Sequence, residues 1–150
     1  LLPEYILILI ELAADADCPK RTFCEAILEY YIQQQLLYRR TTVLQKIINN
    51  ANQVKKSKLS PWLLNWSTSL QRNFYFLKSP RSMTEAEAEQ LAWELTIGDY
   101  CRRDFRKTCI LKNGVIEFLA STSSFQLYFY VNPATGNWKM NTARPLKEFE

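Results

Sequence analysis

Thr108-Cys109-Ile110-Leu111-Lys112-Asn113-Gly114-Val115-Ile116-Glu117-Phe118-Leu119-Ala120 reads as two β-strands about an Asn-Gly turn, with strands over about 108–112 and 115–120. Asn-Gly between apolar runs is the strongest short-range hairpin signal, because both central residues of a type I′ turn need positive φ and this pair tolerates it. Downstream, Phe125-Gln126-Leu127-Tyr128-Phe129-Tyr130-Val131 alternates strictly. Phe125, Leu127, Phe129 and Val131 therefore share one strand face, and Gln126, Tyr128 and Tyr130 the other. Asn132-Pro133-Ala134-Thr135-Gly136 turns the chain into Trp138 and Met140. The last third thus predicts an antiparallel meander whose Phe/Leu/Val face packs on helices.

Upstream the period is helical. Pro3 and Glu4 suit a first turn, and Asp15, Asp17 and Pro19 end a helix that is apolar almost all round, a pattern expected at the centre of a helical cluster. Thr22-Phe23-Cys24-Glu25 has the spacing of a capping box, opening a second helix with Phe23, Ile27, Tyr30 and Tyr31 on its apolar face. Val43, Leu44, Ile47, Ile48, Ala51 and Val54 mark the clearest amphipathic helix, and nothing between Gln33 and Arg40 separates it from the one before. Ser60-Pro61 starts another helix with Trp62, Leu63, Trp66 and Leu70 inward. Thr84 to Glu87 is a second capping box, leading a helix with Ala88, Leu91, Ala92 and Leu95 inward and stopping near Gly98. Asp99 is placed to cap a short basic helix through Lys107. The expected class is α+β: a bundle of four to five helices over about 3–107 and a small antiparallel β-meander over about 108–142, in one domain spanning 1–150.

The 150 residues include no histidine and only three glycines, Gly98, Gly114 and Gly136. Histidine is the usual general base near neutral pH, and phosphate-cradling loops need several glycines. A Ser-His-Asp triad, a Cys-His dyad, a His-based zinc site, a P-loop and a dinucleotide fingerprint are all excluded. Cys18, Cys24, Cys101 and Cys109 match no zinc-knuckle, ribbon or redox spacing and read as reduced, mostly buried thiols. Pairs such as Glu25 with Glu29, or Asp99 and Asp104 with Glu117, have ordinary helix-dipole and surface roles available. No catalytic, metal or cofactor residues are expected, and the chain reads as non-enzymatic.

Nineteen Lys and Arg against 15 Asp and Glu give +4, which tolerates an acidic partner without requiring one. The longest apolar run, Tyr5 to Ile10, continues past Glu11 only to Ala14, short of the roughly 20 residues that span a bilayer. Leu1 in the first position, with no signal-peptide pattern, reads as a fragment or trimmed chain, and the thiols favour a cytoplasmic location.

Two surfaces emerge as candidates. Trp93 falls off the Ala88-Leu91-Ala92-Leu95 stripe, and with Tyr128 and Tyr130 on the polar-aromatic sheet face it would anchor a partner protein, each offering large apolar area. The function expected first is accordingly a protein-interaction or regulatory module. The alternative is a nucleic-acid-binding domain built on Arg102, Arg103, Arg106 and Lys107 beside Tyr100 and Phe105, with additions from Tyr38-Arg39-Arg40 and Lys55-Lys56-Ser57-Lys58. Arginines grip phosphates bidentately and neighbouring aromatics stack on bases.

Overall fold

Proline's fixed φ suits a first helical turn, and Pro3 indeed opens the first helix. The computed structural model describes residues 3–54, 61–96, 104–121 and 126–142, with the side chains of 3, 61–64 and 66 set aside. Five helices precede four strands: α1 Pro3–Ala14, α2 Arg21–Leu37, α3 Thr41–Gln53, α4 Pro61–Lys78, α5 Glu85–Leu95, then β1 Asp104–Ile110, β2 Ile116–Ser121, β3 Gln126–Val131 and β4 Trp138–Asn141. The sheet is antiparallel throughout, in the order β1-β2-β3-β4. This is the α+β layout that the change of period predicts. Backbone contacts divide the chain into two units, Leu1–Phe74 and Tyr75–Glu150, the division falling inside α4.

In the first unit α1, α2 and α3 pack on one another. The buried stripes are Ile6, Ile10, Ala13 and Ala14 on α1, Cys24, Leu28, Ile32 and Leu36 on α2, and Leu44, Ile47, Ile48 and Ala51 on α3. The α3 face is the one its periodicity predicts. The α2 face is not: Phe23 and Tyr30 are exposed, and Gln33 and Gln35 are buried in their stead. The expected capping box is also absent. Helix α2 begins one residue before Thr22, with Lys20 as a cap that makes no side-chain hydrogen bond, and Glu25 instead meets Arg21 at 3.4 Å across one helical turn. Helix α1 also departs from expectation, because its outward side carries exposed Tyr5, Leu7, Ile8 and Leu12 rather than a covering layer. On α4, Leu70 is buried as predicted, while Trp62, Leu63 and Trp66 have side chains outside the described ones.

The stretch that offered no helix stop does contain one. Arg39 takes φ 56°, its N–H donates to the Leu36 carbonyl at 3.0 Å, and the Arg40 N–H donates to the Gln35 carbonyl at 2.8 Å. These are the two bonds of a Schellman motif, which closes a helix through one left-handed residue. Glycine normally fills that position, and an L-residue there is strained by roughly 1 kcal/mol. Arg39→Gly is therefore expected to raise stability by about 0.5–1 kcal/mol in urea melts, whereas a loss of stability would show that the guanidinium contributes more than the strain removes.

In the second unit the Thr84 capping box is present as predicted. The Thr84 hydroxyl accepts from the Glu87 N–H at 3.1 Å, and the Glu87 carboxylate accepts from the Thr84 N–H at 3.0 Å. That amide, with the Thr84 side chain, holds the Glu87 carboxyl below the usual carboxylate range. A lowered folded pKa means this contribution to stability is present at neutral pH and fades as pH falls through the folded value. The β1–β2 turn forms where Asn-Gly predicts, with a different geometry. Only Gly114 has positive φ, at 86°, and its N–H donates to the Leu111 carbonyl at 2.9 Å while the Leu111 N–H donates to the Val115 carbonyl at 2.8 Å. A three-residue loop of a type I turn and a left-handed glycine replaces the expected two-residue type I′ turn. The basic helix expected through Lys107 is also replaced: Asp104 to Lys107 begin β1, while Asp99 to Arg103 lie outside the described residues.

The register places Phe118, Phe129 and Met140 in one row across β2, β3 and β4, with Ala120 beside Leu127 and Ile116 beside Val131 and Trp138 on the same face. Leu127, Phe129 and Val131 are buried, as the alternation predicts. Phe129 stacks on Trp138 with ring centroids 6.1 Å apart. At the far end, the β3–β4 turn is tied to the segment before α5 by the Met83 N–H donating to the Pro133 carbonyl at 2.8 Å.

Candidate interaction surface

Both faces of a strand pair can be buried when each is apolar or satisfied by hydrogen bonds, and the tyrosine face follows the second route. Tyr128 is 8% and Tyr130 2% exposed, so the open polar-aromatic face expected from the alternation is absent. They form a small cluster with Val115 and Leu119, and Leu111 packs against it. The reason lies in Glu117, which the register sets directly opposite Tyr130. The Tyr130 hydroxyl donates to one Glu117 oxygen at 2.5 Å, and the Thr108 hydroxyl donates to the other at 2.6 Å. Cys109 Sγ lies 3.8 Å from that second oxygen.

A β-bulge builds this arrangement. Lys107 pairs with Phe118 and Cys109 with Glu117, so Thr108 is the extra residue, and both Thr108 and Cys109 reach the same carboxylate. Bulges re-aim side chains in this way. In the sequence Glu117 reads only as a partner for Asp99 and Asp104, since a bulge leaves no mark in a pattern of letters. Removing the carboxylate takes its acceptor from the buried Tyr130 hydroxyl and opens a gap beside it, while the Thr108 hydroxyl keeps the Glu117 backbone carbonyl at 3.1 Å: Glu117→Ala is expected to lower stability by about 2–3 kcal/mol, and Glu117→Gln, which retains an acceptor, by less. Equal losses in urea melts would show that the charge, rather than the hydrogen bonds, matters.

Trp93 is where the periodicity of α5 puts it. Ala88, Leu91, Ala92 and Leu95 are buried, and Trp93 is 39% exposed. Its indole meets the Phe105 ring edge-on at 5.3 Å, and Phe105 stacks on Phe118 at 5.8 Å, so an aromatic series runs from the sheet core through β1 to the surface. No strand flanks the outer side of β1 among the described residues, and Ile110 adds a further exposed apolar side chain to that strand.

The two described basic residues of the 100–107 cluster do not converge. Arg106 and Lys107 are both exposed on β1, but Arg106 stands opposite Leu119 and Lys107 opposite Phe118, which face opposite sides of the sheet. Arg106 also lies 3.8 Å from Asp104. Arg102 and Arg103 fall outside the described residues, as do Lys55, Lys56 and Lys58. Among the described residues no group of three or more Cys, Asp or Glu side chains is placed to hold a metal ion. Burial pushes the Cys24 thiol up, with nearby Cys18 adding to the shift and Lys20 opposing it, so this thiol is protonated at neutral pH.

No family model, curated protein or solved structure matches this chain. No helix among the described residues is long and apolar enough to cross a membrane.

Proposed function

We propose that the chain is a non-enzymatic protein-interaction module, of the kind that serves regulation, with Trp93 as its anchor at the outer edge of the sheet. The observation that carries this reading is the exposed indole braced by Phe105. Tryptophan is the residue type most enriched among side chains that dominate binding energy, and a ring already held by a neighbour loses little rotamer freedom when a partner covers it. Tyr128 and Tyr130 act in this reading as supports beneath the sheet rather than as contacts. The nucleic-acid reading has less behind it, because Arg106 and Lys107 diverge and one of them has an acid beside it.

Salt separates the two readings. Phosphate neutralisation makes affinity fall steeply with ionic strength, whereas an aromatic-anchored protein interface responds weakly. Fluorescence anisotropy with short single- and double-stranded DNA and RNA is expected to show no binding at low or physiological salt. Tight, salt-steep binding that is lost in an Arg106→Glu/Lys107→Glu variant would overturn the proposal in favour of nucleic acid.

A further inference from the structure

The outward side of α1 has a heptad pattern of its own. Numbered as a coiled-coil strand, Tyr5 and Leu12 take the two a positions and Ile8 the d position, while Glu4 and Glu11 take the two g positions. Tyr5 and Ile8 are each 53% exposed and Leu12 39%, and both glutamates are exposed. The inward positions Ile6, Ile10, Ala13 and Ala14 are already committed to the three-helix cluster with α2 and α3. One helix thus presents two apolar faces, of which the inner one packs within the first unit and the outer one is exposed.

We propose that this outer face docks an amphipathic helix of a partner protein whose apolar seam is bordered by Lys or Arg. The charge pattern selects that occupant. In a coiled-coil pairing, g positions meet e positions of a parallel partner or g positions of an antiparallel one. Against a second copy of this chain, the antiparallel arrangement sets glutamate against glutamate, and the parallel one sets Glu4 against Leu9, which gives the charge no partner. Against an anionic bilayer the same two carboxylates are repelled. A cationic border answers both. The proposal uses no residue of the Trp93 surface, so each stands or falls alone.

The test uses the full chain and a labelled three-heptad peptide with Leu at a and d and Lys at e and g, beside a counterpart with Glu at e and g. The lysine peptide is expected to bind at least about tenfold more tightly by anisotropy, since two attractive contacts in one complex become two repulsive ones in the other. Ile8→Lys should abolish binding at an unchanged melting temperature, and Glu4→Lys/Glu11→Lys should reverse the peptide preference. Trp93→Ser should leave binding unaltered. Equal affinity for the two peptides, or no binding of either, would overturn the proposal. So would sedimentation showing a dimer that Ile8→Lys dissociates, which would assign the face to a second copy, or retention on phosphatidylserine vesicles, which would assign it to a membrane surface.

Discussion

Gly136→Ala is expected to destabilise the sheet unit by about 3–5 kcal/mol, because two independent penalties act at one atom. Gly136 has φ 77°, where an L-residue is strained, and a Cβ there would collide with the Arg81 backbone, reaching its carbonyl oxygen and lying 2.6 Å from its nitrogen and 2.8 Å from its carbonyl carbon. Backbone cannot swing aside as a side-chain tip can. The neighbouring Met83 to Pro133 hydrogen bond holds the same two segments together, so relief of the clash would break it. Gly114→Ala is the control. Its φ of 86° carries the same strain with nothing within 4 Å of the new carbon, so a loss of about 1–2 kcal/mol is expected there. Urea melts in which the two variants lose the same stability would show that Arg81 does not press on the turn.

Phe129→Ala is expected to cost about 3–5 kcal/mol, the range for a fully buried aromatic ring replaced by methyl. Phe129 lies between Phe118 and Met140 in the register and stacks on Trp138, and neighbours on three strands cannot all collapse into the space it leaves. A near-neutral result would mean that the strand faces are reversed. The tyrosine face offers the internal comparison. Tyr130→Phe removes only the hydroxyl that donates to Glu117 and is expected to cost roughly 1–2 kcal/mol, measured the same way.

Features that depend on local chemistry were legible in the sequence. The period-two run over β3, the Thr84 capping box, the inward face of α3 and the outward position of Trp93 each follow from side-chain spacing within one element, and each is present in the structure. Features that depend on a neighbour were not. Phe23 and Tyr30 look like core by composition, yet α2 is rotated so that Cys24 and Leu28 meet the cluster, and the orientation is decided by α1 and α3. The helix break at Arg39 is hidden because arginine does not announce a left-handed residue, and only the two Schellman bonds reveal it. Tyr128 and Tyr130 read as an open face because alternation distinguishes two sides of a strand without saying which of them meets water. The buried acceptor that satisfies Tyr130 comes from Glu117, on another strand. The described half of the basic cluster shows the same limit. Consecutive Arg106 and Lys107 suggest one patch, but in a strand consecutive side chains point to opposite faces.

Whether Trp93 anchors a protein partner is tested by affinity capture from nuclease-treated extract of the source cells, with the wild-type chain and with Trp93→Ser, washed at low and at high salt. A specific protein is expected to be retained through the high-salt wash by the wild type and lost with Trp93→Ser, the two chains having the same melting temperature. Retention that is equal for both chains, or that disappears on raising the salt regardless of Trp93, would contradict it.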